Sequence, residues 1–117
     1  MNLEQLILGK IAEEASEIAK AALKAQQFGL DDCDPATRVS NGDWLTAEYH
    51  DLQGMFAMLN MLLKQEGPGF TLEATPWQLR QKIEKVCRWA QHSIKKDRLQ
   101  IDGDTPEWLK PFWNPTE

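Results

Sequence analysis

Two stretches of this chain repeat apolar residues at three- and four-residue steps, and each repeat is interrupted by a pair of acids standing where the pattern calls for an apolar side chain. Over Leu3 to about Phe28, at roughly 100° per residue, Leu3, Ile7, Ile11, Ala15, Ile18 and Ala22 share one side. Glu4, Gln5, Ser16, Lys20 and Lys24 mostly fall outside it, as expected of an amphipathic helix. Glu14 breaks the pattern, lying three residues after Ile11 and four before Ile18; Glu17 sits at the stripe's edge and Glu13 points further out.

The second stretch, roughly Asp43 to Gln65, repeats the anomaly. Leu45, Leu52, Met55, Met58, Leu59 and Leu62 define its buried side, and Glu48 and Asp51 lie on that side, while His50, Gln53 and Lys64 take the other face. An ionised carboxylate turned toward a core is costly unless a cation or a strong hydrogen-bond network compensates it. A single such Glu is readily explained as an accident or a partly solvated face. Two pairs at the same i, i+3 spacing are not, because two helices packed side by side would aim all four carboxylates at one spot, and bundle-core sites of that kind hold hard cations.

Length and composition bound the rest. At 117 residues, 42% hydrophobic and 26% charged, the chain is read as a small globule built round one core. A net charge of −5 argues against a general nucleic-acid binder, which meets phosphates with a basic face, so a phosphate-bearing substrate would need a metal bridge. Cys33 and Cys87 lie far apart with no CxxC and no ligand-spaced His, so neither a zinc site nor a disulfide framework is suggested. The Met-Asn-Leu-Glu start lacks a basic n-region, and no apolar run approaches a membrane span. The expected compartment is the cytoplasm, with no membrane partner.

Gly29 to Gly42, with Asp31, Asp32, Asp34, Pro35 and Asn41, reads as an irregular connector; Gly29 suits a C-cap, and Asn41 or Asp43 can cap the next helix. Gly67-Pro68-Gly69 should end the second helix. A third helix begins at Thr75-Pro76-Trp77-Gln78, where Thr75 and Gln78 make a capping box, and runs to about Leu99 with Leu79, Ile83, Val86, Cys87, Ala90 and Ile94 as its apolar stripe. No strand is predicted. Asp102 to Glu117 sets Trp108, Phe112 and Trp113 among Pro106, Pro111 and Pro115, which suits an extended arm with one short turn, its rings stapling it to this or a neighbouring subunit. The division expected is therefore residues 1–101 and an arm of 102–117. The fold class is all-α, a bundle of three main helices whose four-helix-bundle-like core is completed on oligomerisation.

Glu13-Glu14-x-x-Glu17 followed by Glu48-x-x-Asp51 resembles the EExxE…ExxD signature of the all-α nucleoside triphosphate pyrophosphohydrolases, the superfamily of MazG, dimeric dUTPases and phosphoribosyl-ATP pyrophosphohydrolase. The likeness extends to Leu8-Gly-Lys-Ile-Ala-Glu-Glu-Ala-Ser-Glu17 and Thr46-Ala-Glu-Tyr-His-Asp-Leu52, and Lys82-Ile-Glu-Lys85 is similar to the helix that follows the signature in small MazG-like proteins often encoded by phages. It covers about residues 5 to 99, and the separation between Glu17 and Glu48 is longer than is usual for the signature.

The resemblance implies Mg²⁺-dependent hydrolysis of an NTP or dNTP to a monophosphate and pyrophosphate, with Mn²⁺ as a possible substitute. Glu14, Glu17, Glu48 and Asp51 are then the metal ligands, a set that leaves an octahedral ion room for waters and phosphate oxygens. Glu13 and Glu48 are the catalytic candidates. Glu13's direction suits an outer-sphere role on a metal-bound water, or a surface pair with Lys10 or Lys20. Lys82 and Lys85 could meet the phosphate tail, although lysines opposite an apolar stripe are what any amphipathic helix shows. Trp44, Tyr49, Trp77 and Trp89 could stack on a base, but packing explains each of them and none is assigned. The resemblance further implies a homodimer or homotetramer. Alternatives are action on phosphoribosyl-ATP, or a non-catalytic module binding nucleotide or protein on the same fold.

Overall fold

Asn2 starts the first helix: its side-chain oxygen accepts from the Gln5 N–H at 2.8 Å, and the Gln5 side chain accepts from the Asn2 N–H at 2.9 Å. This reciprocal box satisfies two donors that a helix start otherwise leaves unpaired. In the computed structural model, which describes residues 1–65, 67, 69, 72–100 and 103–113, the helix so begun is α1 (Leu3–Phe28); α2 (Asn41–Lys64), α3 (Pro76–Lys95) and the short α4 (Lys110–Trp113) follow. The protein is all-α, with three main helices and no strand among the described residues; a single isolated bridge pairs Cys33 with Ser40. No helix among those residues is long and apolar enough to cross a membrane. The chain divides into two compact units, Met1–Phe70 and Thr71–Glu117.

In the first unit α2 folds back along α1. Gly29 ends α1 at φ 95°, a backbone state that disfavours any residue with a Cβ, and its N–H donates to the Ala25 carbonyl at 2.7 Å. The connector is a clamped turn. Asp34 Oδ1 accepts from the N–H groups of Ala36 (2.8 Å) and Thr37 (3.1 Å), bonds that hold its carboxyl below the usual range. Asp34 N–H donates to Val39 O at 3.1 Å, Asn41 N–H to Asp32 O at 2.9 Å and Gly42 N–H to Leu30 O at 2.9 Å. The cap of α2 is Ser40, whose hydroxyl accepts from the Asp43 N–H at 3.0 Å, rather than Asn41 or Asp43. Asn41 is buried, and its amide nitrogen instead donates back to the Gly29 carbonyl at 2.8 Å, tying the two helix ends together.

The buried seam follows a heptad more closely than the broader stripe read from the sequence. On α1 it runs Ile7, Ile11, Glu14, Ile18, Ala21, Ala25, and on α2 Asn41, Leu45, Glu48, Leu52, Met55, Leu59, Leu62; all are buried or half-buried. Alternating steps of three and four keep a narrow line facing one neighbour. Leu3, Ala15 and Ala22, predicted for the same stripe, are exposed, and so is Met58, because a two-helix hairpin covers one seam per helix and leaves the flanks uncovered.

In the second unit Thr75 and Gln78 form the predicted capping box, with bonds of 3.1 and 2.8 Å, ahead of Pro76 in the first turn of α3. Cys87 is buried at its centre; burial first, then the neighbouring Glu84 charge, pushes its thiol pKa up. The arm contains α4, seated on α3 by Arg80 Nη2 donating to Pro111 O (3.2 Å), by Gln91 Nε2 donating to Trp113 O (2.6 Å), and by the Arg80 guanidinium over the Phe112 ring at 5.4 Å. α3 and α4 thus share a unit that the sequence reading divided near residue 102. Ile83 and Ala90 are half-buried as predicted, whereas Leu79 and Val86 are exposed. Pro68, Asp102, Pro115 and Glu117, on which parts of the sequence reading rest, lie outside the described residues.

Candidate functional site

Midway along the α1–α2 seam, where the heptad asks for apolar side chains, Glu14 of α1 meets Glu48 of α2. Asp51, three residues on from Glu48, lies on the same side at the seam's edge. One oxygen from each of these three carboxylates lies within 4.8 Å of the other two; Glu14 and Glu48 are half-buried and Asp51 is exposed. Helical spacing produces this directly, because residues three apart are neighbours on one face and α2 returns antiparallel to α1.

Three negative charges at that distance repel one another, and no Lys or Arg bridges them among the described residues. The consequence appears at Glu14. Its pKa is raised above the ordinary carboxylate value, first by burial, then by the charges of Asp51 and Glu48, with a hydrogen bond to Glu48 and the charge of Glu13 adding to it. An octahedral Mg²⁺ holds its oxygens at about 2.0–2.1 Å, so bound oxygens stand roughly 3 to 4 Å apart, a spacing these carboxylates reach with small side-chain rotations. The donor chemistry fits a hard divalent cation: oxygen only, net negative, and one side open for water or phosphate.

Of the other sequence candidates, Glu17 is not in this cluster: it accepts from Lys20 Nζ at 3.3 Å, one turn further along α1. Glu13 makes the surface alternative foreseen for it, a 3.0 Å pair with Lys10 in which both side chains are about half exposed. Such pairs contribute roughly 0–1 kcal/mol. Lys82 and Lys85 are exposed on α3, in the second unit. His50 is exposed on α2 beside Tyr49, their ring centroids 6.5 Å apart.

A cleft that sequence reasoning did not assign lies next along the hairpin from the acids toward the connector. Glu17, Lys20, Ala21, Lys24, Asn41 and Trp44 line its cavity of about 130 Å³. Lys24 Nζ stands 5.9 Å from the centre of the Trp44 ring. The signal was present in the spacing, since Glu17, Lys20 and Lys24 follow one another at helical steps and Trp44 precedes Glu48 by one turn. It could not be read without knowing which face of α1 meets the start of α2.

Compared with protein-family models, curated proteins and solved structures, the chain matches none.

Proposed function

We propose that the α1–α2 hairpin is the metal-dependent catalytic unit of a nucleoside triphosphate pyrophosphohydrolase, converting an NTP or dNTP to its monophosphate and pyrophosphate. The observation that carries this reading is the convergence of Glu14, Glu48 and Asp51 from two helices within 4.8 Å. The EExxE…ExxD resemblance supplies the reaction class. The raised pKa of Glu14 agrees with a site whose negative charge is left for a cation to balance.

In this reading Glu14, Glu48 and Asp51 hold Mg²⁺, and Glu17 joins them by exchanging its Lys20 partner for the ion or for a water on it. The bound ion would neutralise charge on the phosphates and lower the pKa of the attacking water. The chain's own residues fix the geometry of attack, because the carboxylates sit on two long helices rather than on loops. Glu48, flanked by Glu14 and Asp51, would accept the proton of the attacking water. Glu13, in its pair with Lys10, would act from the outer sphere.

The same reading includes a second copy of the chain. The hairpin buries one seam only, and Leu8, Leu23, Tyr49, Met58 and Met61 remain exposed on its flanks. Two hairpins packed together would make the four-helix core that one cannot. Light scattering at micromolar concentration is expected to give a multiple of 13.4 kDa; the monomer mass alone would overturn the shared core.

Pyrophosphate release from a panel of NTPs and dNTPs with Mg²⁺ tests the activity. EDTA should abolish release, and Glu48→Gln should lower it more than about 100-fold, beyond what loss of an outer-shell partner usually costs. Folded protein that releases no pyrophosphate from any nucleotide would refute the reading.

A further inference from the structure

The cleft beside the acids has a composition the acids do not explain. It is lined by Trp44, which is 42% exposed, by Ala21 and the buried Asn41, by Lys24, and by Lys20 in its 3.3 Å pair with Glu17. The Asn41 nitrogen is committed to the Gly29 carbonyl, so the amide is locked in place and its oxygen is the acceptor it can present. A cavity of about 130 Å³ is too small for a whole nucleotide, since pockets enclosing ligands of that size run to roughly 300 Å³ and more. That volume is of the order of a single ring system.

Position decides what that ring belongs to. Glu17 is one turn from Glu14 on α1, and Trp44 is one turn from Glu48 on α2, so the cleft begins about 5.4 Å along the hairpin from the carboxylate cluster. A molecule whose phosphates sat at the acids would extend its base to that distance. Lys20 is held by Glu17 at 3.3 Å, so Lys24 is the lining cation without a carboxylate partner among the described residues, and it places positive charge along the hairpin from the acids. We propose that the cleft is a nucleobase slot. In it Trp44 stacks on the base, Asn41 presents its amide oxygen to an exocyclic or ring N–H, and Lys24 swings from the indole face to the base carbonyl or the adjoining phosphate. This rests on the nucleotide reading above and adds to it where the base goes and which residues choose it.

The test separates the slot from the hydrolase. In ¹⁵N-labelled protein with EDTA, dAMP, dCMP, dGMP and dTMP are titrated one at a time and the indole N–H signals followed; Trp44→Phe identifies the Trp44 signal. The expected result is a shift of that signal by at least one monophosphate. Trp44→Ala should weaken its binding about tenfold or more, in line with the loss of one base–aromatic stack, while Mn²⁺ affinity of the acids stays unchanged. Lys24→Met, at an exposed position that keeps the side-chain stem, should weaken it by a smaller factor and guards against a folding defect in the Ala variant. Monophosphates that leave the Trp44 signal unmoved, or that bind Trp44→Ala as tightly as the parent, overturn the slot. If the parent hydrolyses triphosphates with a KM that Trp44→Ala does not alter, the slot fails and the hydrolase stands. If monophosphates bind through Trp44 and no triphosphate is hydrolysed, the slot stands and the hydrolase fails.

Discussion

The two units handle buried polarity in opposite ways. In the α3–α4 unit polar groups between the helices are answered by one another among the described residues: Arg80 bonds Glu84 at 2.8 Å and the Pro111 carbonyl at 3.2 Å, and Gln91 bonds the Trp113 carbonyl at 2.6 Å. In the α1–α2 hairpin three carboxylates meet in the seam with no basic partner among the described residues. Charges that cancel locally hold a fold in one arrangement. Charges left uncancelled destabilise it unless something outside the chain supplies the balance. The contrast is the one the proposed function draws on: the acids of the first unit are left without a local counter-charge, whereas the polar groups of α3 and α4 answer one another.

That contrast can be broken or sharpened by measurement. The largest effect belongs to Glu48→Gln, the loss of hydrolysis described above. Next is the cation itself: Mg²⁺ at about 100 times its Kd should add about 2.7 kcal/mol to the stability of whatever binds it. Hydrogen exchange should then show new protection in α1 and α2 peptides, absent in Glu48→Gln, with α3 peptides unchanged. Equal protection in both units would erase the distinction. Arg80→Ala should act in the opposite place, freeing α4 at a cost of about 1–2 kcal/mol from one charge-assisted bond and one ring contact, with α1 and α2 exchange unaltered. A variant whose α4 stays protected would show that the arm is held by its apolar contacts instead.

The smallest effect is the most diagnostic. Because the Glu14 pKa is raised in the fold above its ordinary 4.5, the folded chain binds that proton more tightly than the unfolded chain does. Stability from this group is therefore present below pH 4.5 and is lost as pH rises through the raised value. Without metal, Glu14→Gln should be more stable than the parent at pH 7, and the two should converge below pH 4.5. The gain is modest, since the site is open to solvent and screened by salt. Denaturant melts of both proteins at pH 7 and pH 4 measure it; a Gln variant less stable than its parent at pH 7 would mean that Glu14 is already compensated.

How much of this was legible in the residues differs along the chain. Apolar periodicity gave α1 its limits at Leu3 and Phe28, and the Thr75–Gln78 box gave the start of α3, because capping and amphipathic spacing are local properties. Ser40 was missed as the cap of α2, since Ser40, Asn41 and Asp43 are all able to cap and only the bond from Asn41 back to Gly29 removes Asn41 from the choice. α4 was read as part of an extended arm with one short turn because Pro106 just before it and Pro111 within it disguise one short helical segment.

The sequence by itself determined an all-α chain and named the acids that interrupt its apolar faces, because side-chain direction along a helix follows from spacing alone. Only the tertiary structure decided which of those acids meet. Glu14, Glu48 and Asp51 converge while Glu17 turns to Lys20 and the neighbouring cleft, because the rotation of one helix against another is set by the packing of a whole seam and not by any single turn of it.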